Sequence, residues 1–187
     1  MSGPVGGMGG GMGGAGQAPE GALSDAEVAR LEEALEGAAL LGAELEPTYR
    51  VLALTLETQP GRTPWERAED RRIQLLASPV STMLVALTRE DEAGARELLT
   101  FEQEQLVDIV AALDAPALTG QLFGRGEPRP GEWAPRFSLQ GRSSAPNGTL
   151  RTIRIEAGSG DLRFGLFARF DDVEVRDPEG SNLRLPS

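Results

Sequence analysis

The amino-acid sequence predicts an α+β fold, in which a largely antiparallel meander sheet carries two amphipathic helices behind a disordered Gly/Met-rich tail. Two segments begin with a helix-capping pattern and then repeat apolar residues at helical spacing. Several others alternate apolar and polar residues with a period of two, which is typical of strands. Turn-forming Pro, Asn and Gly residues separate these short segments. The pattern leaves open whether the strands form one sheet or two packed sheets.

The tail is predicted from composition, because residues 1–22 are nearly all Gly, Met, Ala and Pro. Glycine loses more conformational entropy on folding than any other residue, and this segment has little apolar surface to offset that loss. The glycine spacing matches a dinucleotide-binding pattern in form. No strand pattern precedes it, so we assign it no function.

The first helix is predicted over residues 25–41. Ser24 and Glu27 form a capping box, in which the serine oxygen accepts one unpaired backbone N–H and the glutamate reaches back to the cap. Apolar residues then recur on one face while glutamates occupy the other, and Gly42 is the expected end of the helix. Packing against the sheet is favoured over an alternative in which this helix binds a partner.

A first group of strands is predicted after this helix. Its members are residues 49–57, 73–77, 80–88 and 95–99. The first of them has apolar residues on both faces, so we expect it to be a central strand. Pro79 interrupts the group and predicts a bend or a sheet edge, because proline cannot donate to a ladder. A charged turn over 89–94 is expected to join the last two strands.

A second helix is predicted over residues 101–113, where a broad apolar stripe follows a capping box formed by Thr100 and Gln103. Residues 116–135 then alternate prolines and glycines, which is typical of a connection or a long ordered loop. We therefore divide the chain into the tail, a unit of 23–115, this connection, and a C-terminal unit of 136–187. The two units are expected to pack as one domain.

The C-terminal unit is predicted to be a set of antiparallel strands. They are residues 136–142, 150–157 and 162–170, followed by a small hairpin of 173–176 with 183–185. Asn147-Gly148 is expected to turn the chain between the first two, since both residues tolerate positive φ. The strand over 162–170 has the clearest alternation of the chain.

Composition excludes several kinds of chemistry. The chain has no histidine or cysteine, and its 18 basic residues are all arginine. Imidazole and thiol catalysis, Schiff bases, phosphate-binding loops with lysine and zinc–sulfur sites are therefore excluded. The net charge of −11 argues against nucleic-acid binding, which requires a basic surface. No apolar run approaches a membrane span and no secretory signal is present, so we expect a cytoplasmic protein without cofactors.

The charge is uneven, with a net −12 over residues 1–120 and +1 over residues 121–187. If the apolar residues of the C-terminal strands face the core, several arginines and one phenylalanine share the outer face. This candidate binding face comprises Arg136, Arg142, Arg154, Arg163, Phe167 and Arg169. Arginine binds carboxylates and phosphates with two parallel hydrogen bonds, so such a face suits an anionic partner. The alternative is ordinary cross-strand pairing with Glu156, Asp161 and Glu174.

The leading functional hypothesis is a non-catalytic interaction, accessory or assembly protein that binds an unidentified protein partner through its sheet surface. No catalytic residue is predicted. An alternative is a carboxylate-dependent hydrolase or a divalent-cation-binding protein that uses Asp171, Asp172 and Glu174. A further alternative is a small-ligand sensor with a pocket between sheet and helix. No motif assigns the chain to a family or predicts its oligomeric state.

Overall fold

A computed structural model describes residues 23–62, 65, 71–124, 137–140, 150–183 and 185. The predicted tail and most of the predicted 116–135 connection lie outside these residues. The described part consists of one antiparallel sheet of eight strands with two α-helices. The α+β prediction is therefore confirmed, and the two strand groups belong to one sheet.

The helices are α1 (Asp25–Leu35) and α2 (Leu106–Ala112), and a 3₁₀ turn (Gln103–Gln105) precedes α2. The strands are β1 (Ala39–Glu46), β2 (Val51–Glu57), β3 (Arg72–Glu90), β4 (Arg96–Leu99), β5 (Phe123–Gly124), β6 (Phe137–Gln140), β7 (Arg151–Ser159) and β8 (Leu162–Arg176). The strand order is β1-β2-β3-β8-β7-β5. β2, β6 and β4 lie one after another along one side of β3, whose other side pairs with β8. β2 is thus a central strand, as predicted.

Helix α1 is shorter than predicted. Its capping box is present: the Glu27 N–H donates to Ser24 Oγ (3.3 Å), and the Ser24 N–H donates to Glu27 Oε2 (2.7 Å). The helix ends at Leu35, and Gly37 follows in the left-handed region with φ of +69°. The prediction that it runs to residue 41 is wrong, because β1 begins at Ala39. Alanine and leucine favour a helix locally, but pairing with β2 overrides that weak preference.

The predicted break at Pro79 lies inside β3, which runs through it as a continuous strand of 19 residues. Ala77 and Val80 are both buried, with two partly exposed residues between them, so the alternation of buried positions is interrupted here. Val80 and Ser81 are then both buried at a bulge, which restores the earlier alternation from Met83 onward. β8 shows a similar interruption between Phe170 and Val173. The two strands therefore turn a corner together instead of ending.

The second helix lies within its predicted range but begins later. The predicted cap of Thr100 with Gln103 is wrong, since the Glu102 N–H donates to Gln105 Oε1 (2.8 Å). Leu106 and Val110 of α2 face the core, and the helix packs against β1. Among the described helices, none is long and apolar enough to cross a membrane.

The partner of β6 differs from the prediction. The turn at Asn147-Gly148 was expected to pair residues 136–142 with residues 150–157, but β6 pairs with β3 instead. β7 pairs with β8 on one side and with β5 on the other. The final small hairpin is present, because the Leu183 N–H donates to the Val175 carbonyl (2.8 Å).

Residues 116–124, called the closing segment below, join the two ends of the sheet. The Leu40 N–H on β1 donates to the Pro116 carbonyl (2.9 Å). The Arg154 N–H on β7 donates to the Leu122 carbonyl (2.8 Å). This part of the predicted connection therefore belongs to the sheet, and it links β1 to β7 around one hydrophobic core.

Candidate functional site

The buried residues of the C-terminal strands show which of their side chains lie on the outer face of the sheet, away from the core. Phe164, Leu166 and Ala168 of β8 are buried in the core, at most 2% exposed. Because side chains alternate along a strand, Arg163, Phe167 and Arg169 lie on the opposite face. Ile153 and Ile155 of β7 are also buried, which places Arg154 on that outer face beside them. Arg136 and Arg142, the other two members of the predicted binding face, lie outside the described residues.

Phe167 differs from its predicted role as an exposed docking residue. The register places it between Leu84 on β3 and Arg154 on β7, which are its cross-strand neighbours on the outer face. Its side chain is only 6% exposed. An aromatic ring covered to this extent offers a partner little contact area, so the arginines carry the accessible chemistry of this face.

A groove of about 870 Å³ lies on the outer face, and we call it the arginine groove. Small or aliphatic residues of four adjacent strands form its floor: Leu98, Ala86, Gly165 and Gly158. Charged residues of β4, β7 and β8 form its walls: Arg96, Arg154, Glu156 and Arg163. Neighbouring strands are about 4.8 Å apart, so the floor is about 14 Å wide. The groove thus brings together two of the predicted arginines and one that was not predicted.

The arginines of the groove are paired with carboxylates over a range of distances. Arg154 Nη2 lies 2.7 Å from Glu156 Oε1. Glu90 Oε2 lies 3.5 Å from Arg96 Nε and 3.9 Å from Arg163 Nε, so one carboxylate stands between two guanidinium groups. All three arginine side chains are more than 40% exposed. Exposed pairs of this kind contribute about 0–1 kcal/mol each, so an incoming anion can displace them.

Backbone carbonyls hold the Arg163 side chain in place. Its Nη1 donates to the carbonyl oxygens of Gly160 (2.8 Å) and Leu162 (3.0 Å). The side chain lies across Gly158, where an added Cβ would stand only 3.1 Å from Arg163 Cδ. A larger residue at position 158 would therefore push the guanidinium away from its present place.

The three acids named in the cross-strand alternative all have arginine partners, but Glu156 and Glu174 pair along their own strands and only Asp161 pairs with an arginine of another strand. Glu156 pairs with Arg154, which is a member of the predicted face. Asp161 contacts Arg89 at 3.3 Å and Glu174 contacts Arg176 at 2.7 Å. Arg169 also has an interaction partner. The outer face is therefore a mixed surface with an excess of arginine.

Arg96 was missed because its face depends on the register of the β3–β4 hairpin. The structure pairs Glu90 with Arg96 and Thr88 with Leu98, which puts both β4 residues on the outer face. The predicted turn over 89–94 had suggested this hairpin. That turn would pair Thr88 with Ala95, whereas the structure pairs Thr88 with Leu98.

The acidic residues proposed for a cation lie at the corner of β8. Burial raises the pKa of Asp172, and the Val173 N–H donates to its Oδ1 (2.8 Å). Glu174 is engaged by Arg176. Within the described ranges, no group of three or more acidic side chains is placed to hold a metal ion. The structure therefore does not assemble Asp171, Asp172 and Glu174 into a metal centre.

A second, smaller cleft of about 420 Å³ lies between α1 and β7. Glu32, Glu33 and Glu36 line its helix side. Leu118 and Leu122 of the closing segment line the other side. The Leu122 N–H donates to Glu32 Oε1 (3.0 Å), which ties the helix to the closing segment across this cleft.

The chain matches no protein-family model, no curated protein and no solved structure.

Proposed function

We propose that this chain is a non-catalytic interaction protein that binds a partner protein at the arginine groove. The observation that carries the proposal is the placement of three guanidinium groups, from three strands, around a floor of small residues. Guanidinium groups present several donors in a fixed plane and are always charged, so they suit specific contacts with anionic groups. The small residues of the floor leave room for an incoming chain.

The chemistry of the groove supports binding over catalysis. The chain has no histidine, cysteine or lysine, so acid–base and nucleophilic steps would depend on carboxylates and hydroxyls. Glu156, the acid that lines the groove, is 53% exposed and paired with Arg154. A carboxyl group that acts as a general acid is instead held in apolar surroundings, which raise its pKa.

The charge of the chain supports a protein partner over a nucleic acid. Nucleic-acid binding requires a basic surface that neutralises many phosphates, whereas the chain has a net charge of −11 and the groove offers three arginines. A cytoplasmic location belongs to this proposal.

The proposal is tested with a groove variant, Arg96→Gln/Arg154→Gln/Arg163→Gln, and a control variant, Arg30→Gln/Arg62→Gln/Arg72→Gln. Both triple variants change the net charge by the same amount, and the control positions lie on α1, after β2 and at the start of β3. Thermal melts first establish that both variants fold like the unmodified protein. Each protein is then used to capture partners from its host, followed by quantitative mass spectrometry. We expect the control to retain the partners of the unmodified protein and the groove variant to lose them. Recovery of the same partners by the groove variant contradicts the proposal.

A second candidate function is small-ligand binding in the cleft between α1 and β7, which has the size of a small-molecule site. Native mass spectrometry of gently purified protein tests it. A retained ligand mass, absent from a Leu118→Trp variant that fills the cleft, supports this function. A bare protein mass counts against it.

A further inference from the structure

We infer that the arginine groove recognises an acidic peptide segment, of which two carboxylates engage Arg96 and Arg163. This inference rests on the proposed function and names the chemistry of the partner. Three observations support it. The two guanidinium groups already surround a carboxylate of this chain, the groove has a positive charge balance, and the spacing of the two groups suits an extended peptide.

Glu90 lies on β3 between the strands that carry the two arginines. Its carboxylate is 3.5 Å from Arg96 Nε and 3.9 Å from Arg163 Nε. Both distances exceed the 2.7–3.2 Å typical of an N–H···O hydrogen bond. Glu90 therefore neutralises part of the local charge without a hydrogen bond to either Nε. Arg163 Nη1 already donates to two backbone carbonyls, and the other N–H groups of Arg163 and those of Arg96 can donate to further carboxylates.

The charge balance of the groove is positive, because three arginines face two glutamates among the described residues, Glu90 and Glu156. An anionic ligand is therefore favoured. Carboxylates are the groups that these arginines already contact within the chain, which supports a carboxylate ligand over a phosphate.

The spacing of the two guanidinium groups suits an extended peptide. Arg96 Nε lies 3.5 Å and Arg163 Nε lies 3.9 Å from the same atom, Glu90 Oε2, so the two Nε atoms are no more than about 7.4 Å apart. Alternate residues of an extended peptide are about 7 Å apart and point to the same side. Two glutamates at positions i and i+2 therefore reach both guanidinium groups from above a floor that Gly158 and Gly165 keep low.

The inference is tested by fluorescence anisotropy with a labelled peptide of alternating Glu and Ser residues. Its neutral counterpart has Gln in place of Glu. The protein variants are Arg96→Gln/Arg163→Gln and the charge-matched control Arg62→Gln/Arg72→Gln. We expect the unmodified protein and the control to bind the Glu peptide equally, and the groove variant to bind it at least tenfold more weakly. The Gln peptide is expected not to bind. Raising NaCl from about 20 to about 200 mM should weaken binding of the Glu peptide, because exposed charges are screened.

Equal affinities of the groove and control variants overturn the inference, as does a lack of binding to the Glu peptide. A phosphoserine peptide that binds where the Glu peptide does not overturns the choice of carboxylate. Failure here is distinguishable from failure of the proposed function. If partner capture depends on the groove arginines while the Glu peptide does not bind, only the inference on partner chemistry is lost. If capture is also indifferent to these arginines, the proposed function falls with it.

Discussion

Replacing Leu31 by alanine tests whether α1 is part of the core or a helix held in reserve for a partner. Leu31 lies on α1, is completely buried and belongs to the core cluster. Leucine-to-alanine changes at such sites cost about 3–5 kcal/mol, because transfer free energy is lost and a cavity is left. A domain of this kind has a total stability of about 5–15 kcal/mol, so we expect a large loss that still permits folding.

Urea unfolding followed by circular dichroism measures this loss. With a slope of about 2 kcal/mol per molar urea, a cost of 3 kcal/mol lowers the midpoint by about 1.5 M. Val107→Ala is the control, because Val107 on α2 is 48% exposed and its truncation should shift the midpoint by less than about 0.3 M. A loss below about 1 kcal/mol for Leu31→Ala would refute the reasoning and would restore the partner-binding alternative for α1.

Three further changes test local features. Ser24→Ala removes the α1 cap and should cost about 1 kcal/mol at pH 7, measured by urea unfolding. Hydrogen bonds from Ser24 lower the pKa of Glu27, so the ionised carboxylate stabilises the fold at neutral pH. That contribution is lost as the pH falls through the lowered pKa, and the cost of Ser24→Ala should be smaller at pH 3. Asp172→Asn should raise the melting temperature at pH 7, since burial raises the pKa of Asp172 and its ionised form opposes folding. This gain should vanish at pH 3, where the carboxyl group is protonated in both the folded and the unfolded protein. A gain in melting temperature that is independent of pH contradicts the prediction. Gly37→Ala should cost about 1–2 kcal/mol in thermal unfolding, because the φ of +69° strains a residue that has a Cβ. The cost does not come from a clash, since the nearest atom to the added Cβ is 3.9 Å away.

The alternation of apolar residues predicted the strands of the C-terminal unit well. Leu162 to Phe170 form the first half of β8, and their inward positions put Arg163 and Arg169 on one outer face. The same alternation could not distinguish a strand that ends from one that turns a corner. Ser78-Pro79 and Asp171-Asp172 interrupt the pattern in either case, because both leave two successive residues partly exposed.

The errors in the fold concern contacts between residues distant in sequence. β1 is composed mainly of Ala, Leu and Glu, which locally favour a helix, and its pairing with β2 makes it a strand. The turn predicted between β6 and β7 suggested that these two strands pair, whereas the partner of β6 is β3. The closing segment is rich in turn residues, and its role depends on hydrogen bonds to both β1 and β7.

The candidate site was predictable to the same extent. The period-two alternation within each strand predicted that Arg154 and Arg163 lie on the outer face of the sheet. Arg96 required the register between β3 and β4, and the burial of Phe167 required knowledge of what surrounds the outer face. Periodicity identifies which residues share a side of one strand, but the grouping of side chains from several strands is set by tertiary structure.

The length of β3 has a consequence for synthesis of the chain. β3 pairs with β8 from Gln74 to Arg89, and the last residues of β8 leave the ribosome long after β3 does. At 5–20 residues per second, the interval between Glu90 and Arg176 is roughly 4 to 17 seconds. During that time one side of an apolar strand of 19 residues is without its main partner. We therefore expect the nascent chain to bind chaperones that recognise extended apolar segments, and to be released once β8 has emerged.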